Sequence, residues 1–370
     1  MNTTLSHITA LEIIRHWDSF RFIGNQDQAG VTRVPARTPT VGELSDLVER
    51  TSLLAGATLP LHVLVSTDSG RTHSPLATAH MALANYPPGS FFSPVPGVFC
   101  SSPELVALQM AEYATDLELL MLVDELCGHY GIQPLAKKGL VDRRVPLTRL
   151  DRIAAYLDSL GPVRGSRKLR SALERARELS GSPQESRSVH RLEFSPALGG
   201  YGLEVVALND PVEVARADGL LAGTSKRIRK PDIMLLAPGS KDGEPTSFDA
   251  VALDYQGDYH RDPVQVEKDI NRRNELLACD IKDYEIAKEH YSDVDYMDWL
   301  VARIRNDLGL PEPHMSSASR EAWRERRRDL CSQLDRADGL HWTARKAPLV
   351  MAGAHDFTGR SVAVRPLSRG

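Results

Sequence analysis

Cysteine is scarce in this 370-residue chain, with only Cys100, Cys127, Cys279 and Cys331 and no CxxC pair among them. That excludes a zinc ribbon and a disulfide framework, and leaves buried free thiols as the ordinary reading. Long apolar runs are also missing: nowhere do roughly 20 apolar residues follow one another, the length a membrane-spanning helix needs. The opening stretch, MNTTLSHITALEIIRHW, has no basic segment followed by an apolar core and cleavage site. A cytoplasmic protein without a membrane segment is therefore expected. A large charge of one sign is absent too, since the formal net charge is −4. With 42% hydrophobic and 25% charged residues the chain is neither fibrous nor wholly disordered. The small net charge conceals a gradient, because from His314 onward eleven Arg or Lys stand against six Asp or Glu. Local basic surfaces are thus compatible with an acidic whole.

What the chain does contain is concentrated between Arg227 and Ile286. Two short apolar runs, Ile233–Leu236 and Ala250–Leu253, are bounded by Pro, Gly, Ser and Asp, so each reads as a core strand. The segment between them, PGSKDGEPTS, has the composition of a hairpin connection. Asp232 opens the first run and Asp254 closes the second, so antiparallel pairing sets both carboxylates side by side at the open end of the hairpin. Two carboxylates so close repel unless a cation lies between them, and a hard divalent ion such as Mg²⁺ is the usual solution. Two exposed acids at strand ends, where turns favour Asp, are the plain alternative. A helix should follow, since Val266, Ile270 and Leu276–Leu277 recur at helical spacing while Lys268, Asp269, Arg272 and Arg273 populate the other faces. Upstream of Asp232, the cluster Lys226, Arg227, Arg229 and Lys230 contains no acid and leads into the pair, a position suited to contacting a nucleic-acid backbone.

The order of KPD before one strand, ALDYQGDYH ending the next, and KDINRRNELL in the following helix resembles the very-short-patch-repair-like endonuclease domain. That family is a branch of the restriction-endonuclease-like, PD-(D/E)xK superfamily. The likeness covers roughly residues 179 to 290, including an upstream helix beginning GSPQES that places Glu185 where such domains often carry a Glu. It implies an α/β/α domain with a central mixed sheet. It implies a divalent-metal-dependent endonuclease in which Asp232 and Asp254 ligate Mg²⁺ or Mn²⁺ with the Tyr255 carbonyl, and Glu185 holds a metal-bound water. His260 would relay a proton or orient the phosphate, and Asp269 with Arg272 or Arg273 matches the family's acidic-basic pattern, which would orient His260 or bind phosphate; an intrahelical ion pair explains these residues equally. Gln256 stands where the superfamily's lysine would be, and glutamine offers hydrogen bonds without charge. Relatives of the very-short-patch-repair type also lack this lysine. The implied partner is nucleic acid, DNA in first place. A catalytically inactive nucleic-acid-binding or antitoxin-like regulator on the same fold is the alternative reading. More loosely, the upstream half resembles uncharacterised regions attached to this domain in bacterial proteins, a fusion like that of defence-associated proteins.

The sequence divides accordingly into a mainly helical α+β domain over 1–178, a restriction-endonuclease-like domain over 179–312, and a basic tail over 313–370. A protein partner could dock on the first domain or the tail. In the first domain, Ser6–Trp17, Val41–Ala55, Pro103 onward, Leu117–Tyr130 and Leu147–Leu160 read as helices, LPLHVLVST as a strand and PPGSFFSPVPGV as a hairpin. His73 and His80 lie without acids nearby and read as isolated structural histidines. Glu125 reads as a locally paired helix residue. Arg164, Arg167, Lys168, Arg170, Arg175 and Arg177 form a basic stripe that either contacts phosphates or pairs with Glu174 and Glu178 on a solvated face. The tail helix REAWRERRRDLCSQL presents an Arg-rich face and is expected to be loosely attached.

Overall fold

A computed structural model describes residues 2–16, 34–51, 54, 57–133, 136, 139–217, 224–238, 247–256, 263–313 and 316–337. It is a mixed α/β protein whose chain divides between Glu178 and Leu179 into two compact units.

In the first unit, strand β1 (Thr3–Leu5) leads into helix α1 (His7–His16), and Thr40 caps α2 (Val41–Arg50) in a capping box with Glu43. Strands β2 (Leu61–Val65), β3 (Ala77–Met81), β4 (Phe91–Val95) and β5 (Val98–Ser101) follow. They form a five-stranded sheet in the order β3-β2-β1-β5-β4, with β1 antiparallel to β2 and parallel to β5. Ser102 caps α3 (Pro103–Met110), whose Pro sits in the first turn where no N–H is needed. Thr115 and Glu118 form the capping box of α4 (Asp116–Leu126). Every residue from Glu118 to Leu126 is buried, as the apolar run on several faces requires. The short hairpin β6 (Tyr130–Ile132) and β7 (Leu140–Asp142) precedes α5 (Leu150–Leu160) and α6 (Ser166–Leu173). Three cations of the basic stripe, in α6 and just before it, are paired to acids from elsewhere in the unit: Arg164 to Glu112 at 3.1 Å, Lys168 to Asp116 at 3.4 Å and Arg170 to Asp158 at 2.7 Å. Glu125 is not paired locally either; its carboxylate meets Arg15, 110 residues away, at 2.6 Å.

The second unit opens with Ser182 capping α7 (Pro183–Glu193). Strand β8 (Ala207–Leu208) follows, then the ribbon β9 (Val212–Ala217) and β10 (Thr224–Arg229), then β11 (Ile233–Leu236) and β12 (Ala250–Gln256). Next come α8 (Pro263–Leu277), β13 (Ile281–Ala287), α9 (Lys288–Ser292), α10 (Val294–Asp307) and α11 (Ser317–Ala337). The main sheet runs β13-β12-β11-β8, with β11 antiparallel to β12 and β12 parallel to β13. Side chains of a strand alternate between faces, and both faces are covered, which is why β11 and β12 read as unbroken apolar runs. Ile233, Leu235, Val251 and Leu253 pack with Val189 and Leu192 of α7 and Met297, Leu300, Val301 and Ile304 of α10. Met234, Ala250 and Ala252 pack on the opposite side with Leu276 of α8 and Ile281.

Two expectations change here. On α8, Leu276 is fully buried, but Ile270 is 53% exposed and Leu277 47%, so its inward stripe is narrower than the spacing suggested. Residues 313–335 belong to the second unit rather than to a separate tail. In α11, Cys331 joins the core beside α10, and two arginines of the Arg-rich face are answered within the unit, Arg327 by Asp298 at 2.7 Å and Arg324 by Asp295, while Asp335 of the same helix meets Arg187 of α7 at 2.8 Å. Among the described residues, no helix is long and apolar enough to cross a membrane.

Candidate functional site

The pairing Ile233↔Leu253 carried one residue outward sets Asp232 opposite Asp254. Directly opposed residues of an antiparallel pair share a face, so the two carboxylates crowd one another. Each is anchored by the other strand's backbone. The Asp232 N–H donates to Asp254 Oδ1 at 3.0 Å, and the Tyr255 N–H donates to Asp232 Oδ2 at 2.8 Å. The arrangement keeps the repulsion inside the fold: burial first, then the charges of Glu185 and Asp254, push the Asp232 carboxyl up to about 7.

Glu185 arrives from the first turn of α7. Its Oε2 accepts from the Gly181 N–H at 2.7 Å and Asn209 Nδ2 at 2.6 Å, and its Oε1 from Ser182 Oγ at 2.9 Å. Gly181 suits this closeness, since a Cβ there would stand 3.1 Å from Oε1 and the carboxylate would have to shift. Asn209 is in the left-handed region, φ 49°, which Asn tolerates better than most residues. Burial raises the Glu185 carboxyl as well, and Asp254 adds to the rise. Glu185 therefore lies in the field of the aspartate pair, while its oxygens serve the start of its own helix. The three carboxylates are not drawn into one tight cage: among the described residues, His7, His62 and His80 alone form a trio of His, Cys, Asp or Glu whose ligand atoms all lie within 4.8 Å of each other.

Sequence reasoning missed two further acids. Asp254 pairs in register with Glu285 of β13, and Asp283 lies two residues earlier on the same face. Burial, with the Asp254 charge next, pushes Asp283 up to about 7, and its Oδ1 is buried without a hydrogen-bond partner. Two acids at alternate positions of one strand, IKDYEIA, were the available signal. The countercharge comes from α8. Arg272 forms an ion pair with Asp254 Oδ2 and also donates to the Lys230 carbonyl at 3.3 Å; Arg273 meets Glu285 at 2.6 Å.

Arg229 is paired to buried Glu275, its Nε donating at 2.7 Å, so its charge is neutralised locally. Lys230 is exposed at the end of the ribbon. Gln256 ends β12, and Lys226 and Arg227 lie in β10; their side chains, like His260 as a whole, lie outside the described residues. His80, expected to be isolated, instead contacts His62 and Tyr113. Comparison with protein-family models, with curated proteins and with solved structures finds no match to this chain.

Proposed function

We propose that the second unit is a divalent-metal-dependent endonuclease of the restriction-endonuclease-like class, hydrolysing DNA phosphodiester bonds with Mg²⁺ or Mn²⁺ held by Asp232 and Asp254. The observation that carries the reading is the register of β11 on β12, which opposes the two aspartates on one face at the end of a buried sheet. A hard cation fits this set: the donors are carboxylate oxygens, Asp232 holds its proton unusually tightly, and Asp283 Oδ1 is a buried acceptor without a donor. Such an ion supplies Lewis acidity toward the scissile phosphate and acidifies bound water.

The chain's own residues have separate tasks. Asp232 and Asp254 position the cation, and their backbone anchors fix their rotamers. Burial raises the proton affinity of Glu185, which makes its carboxylate the better acceptor for a proton from an attacking water. Arg272 stands against Asp254 and supplies the fixed positive charge that Gln256, in the superfamily's lysine position, cannot. Lys230, with Lys226 and Arg227 of the preceding strand, brings basic groups to the β9–β10 ribbon, and a two-stranded ribbon is of a size the major groove admits. A bacterial defence or repair role is consistent with this chemistry.

The test is nicking of supercoiled plasmid by the full chain with Mg²⁺ or Mn²⁺, compared with Asp254→Ala. Metal-dependent nicking lost in the variant supports the proposal. One observation favours a second reading, a nucleic-acid-binding regulator that does not cleave: the Arg272–Asp254 ion pair already neutralises one of the two ligands. Salt-sensitive DNA binding without cleavage would select it.

A further inference from the structure

The first unit holds a cluster of a different kind. His7 begins α1 with its backbone in the left-handed region, φ 49°, a conformation seldom kept by a non-glycine residue without a local reason. Its N–H donates to Gln109 Oε1 at 2.9 Å. His62 lies in β2, in the otherwise apolar run LHVLV, and its N–H donates to Thr9 Oγ1 at 2.8 Å. His80 comes from the adjacent strand β3. Its ring stacks on His7 with centroids 3.7 Å apart, and its Nε2 is 3.0 Å from His62 Nδ1.

We propose that His7, His62 and His80 bind a divalent transition-metal ion of the Zn²⁺ class. Three observations carry this. Each residue offers a ring nitrogen within 4.8 Å of the other two, close to the separation of about 3.3 Å that tetrahedral ligands with zinc–nitrogen bonds of about 2.0 Å require. The outer nitrogens of two rings are already tied, Nδ1 of His7 to Ser6 Oγ at 2.9 Å and Nδ1 of His80 to Tyr113 Oη at 3.1 Å. Such bonds fix tautomer and orientation in metal-ligating histidines and turn Nε2 of each ring inward; Nε2 of His80 there faces His62 Nδ1, a contact the ion would take over. His62 is 2% exposed; its Nδ1 is the nitrogen that faces His80, and its Nε2 is buried without a hydrogen-bond partner. The chemistry selects the ion, because three imidazoles without a carboxylate suit zinc, cobalt, nickel or copper and not Mg²⁺ or Ca²⁺. His80 and Tyr113 are only partly buried, which leaves an approach for the ion and a fourth position for solvent. This site is independent of the nuclease reading.

The test uses the full chain, stripped with a chelator and titrated with Co²⁺. The expected result is the intense visible absorption of four-coordinate cobalt, saturating at one ion per chain, displaced by Zn²⁺, with three imidazoles counted by X-ray absorption. Cobalt on a carboxylate cluster takes oxygen ligands in higher coordination and absorbs weakly, so the band must survive in Asp254→Asn. His80→Gln should weaken binding by more than about 10-fold, and Tyr113→Phe by less. A folded wild-type chain without the band, a band unchanged by His80→Gln, or one lost in Asp254→Asn overturns the proposal. Should His80→Gln fail to fold, the imidazole count on the wild type decides, and fewer than three contradicts it.

Discussion

Two buried carboxylates show how differently this chain treats the same side-chain chemistry. In the first unit, Glu125 is 1% exposed and fully answered: Arg15 Nε donates to Oε1 at 2.8 Å, Nη2 to Oε2 at 2.6 Å, and the Ile132 N–H adds a third bond at 3.0 Å. In the second unit, Asp232 faces Asp254 across two strands, with Glu185 in the same field and one arginine answering Asp254. The first arrangement settles its charge within the fold. The second stores repulsion that an added cation would relieve.

The contrast can be broken by substitutions of opposite sign. Glu125→Ala strips the partner from buried Arg15, so we expect a loss of about 3–5 kcal/mol in chemical denaturation. Asp232→Asn should do the reverse. Because the folded protein holds the Asp232 proton up to about 7 against an ordinary 3.8, no penalty exists below about pH 4; stability is then lost as pH rises toward 7. At pH 7 without divalent metal, Asp232→Asn should therefore stabilise by roughly 2–3 kcal/mol and flatten the fall in stability between pH 4 and 7. Asp283→Asn should act in the same direction, since Asp283 is raised to about 7 for the same reason. Arg272→Gln sharpens the comparison further. Removing the cation that answers Asp254 should cost roughly 1–2 kcal/mol without metal, and the thermal shift on adding Mg²⁺ should grow, because metal and arginine neutralise the same oxygen atoms. An Mg²⁺ response equal to that of the wild type would separate the two functions. Smallest of all, Arg273→Gln breaks only the half-exposed pair with Glu285 and should change stability by less than about 1 kcal/mol.

Much of this was legible in the chain because local rules agreed. Two apolar runs bounded by turn residues fix β11 and β12, and once they pair, a spacing of 22 residues becomes a direct opposition of Asp232 and Asp254. The Ser182 cap and Pro183 likewise announce the helix that carries Glu185. What escaped depends on contacts between distant segments. Asp283 and Glu285 become part of the site only through the parallel pairing of β13 with β12. The Arg-rich face of α11 looks like a free basic surface until Asp295 and Asp298 of α10 are seen beside it. His7, His62 and His80 are 55 and 18 residues apart in turn, and only the sheet order brings them together; a histidine inside LHVLV was the one local hint.

The account rests on the aspartate pair holding a catalytic divalent ion, and plasmid nicking tests that most directly. The full chain should convert supercoiled DNA to the open circle with Mg²⁺ or Mn²⁺ and not after chelation, and Asp254→Ala, with its circular dichroism unchanged, should be slower by roughly 10²–10³-fold or more. Nicking that persists undiminished in Asp254→Ala, or a folded wild type that binds DNA and never cuts it with either metal, would contradict the account.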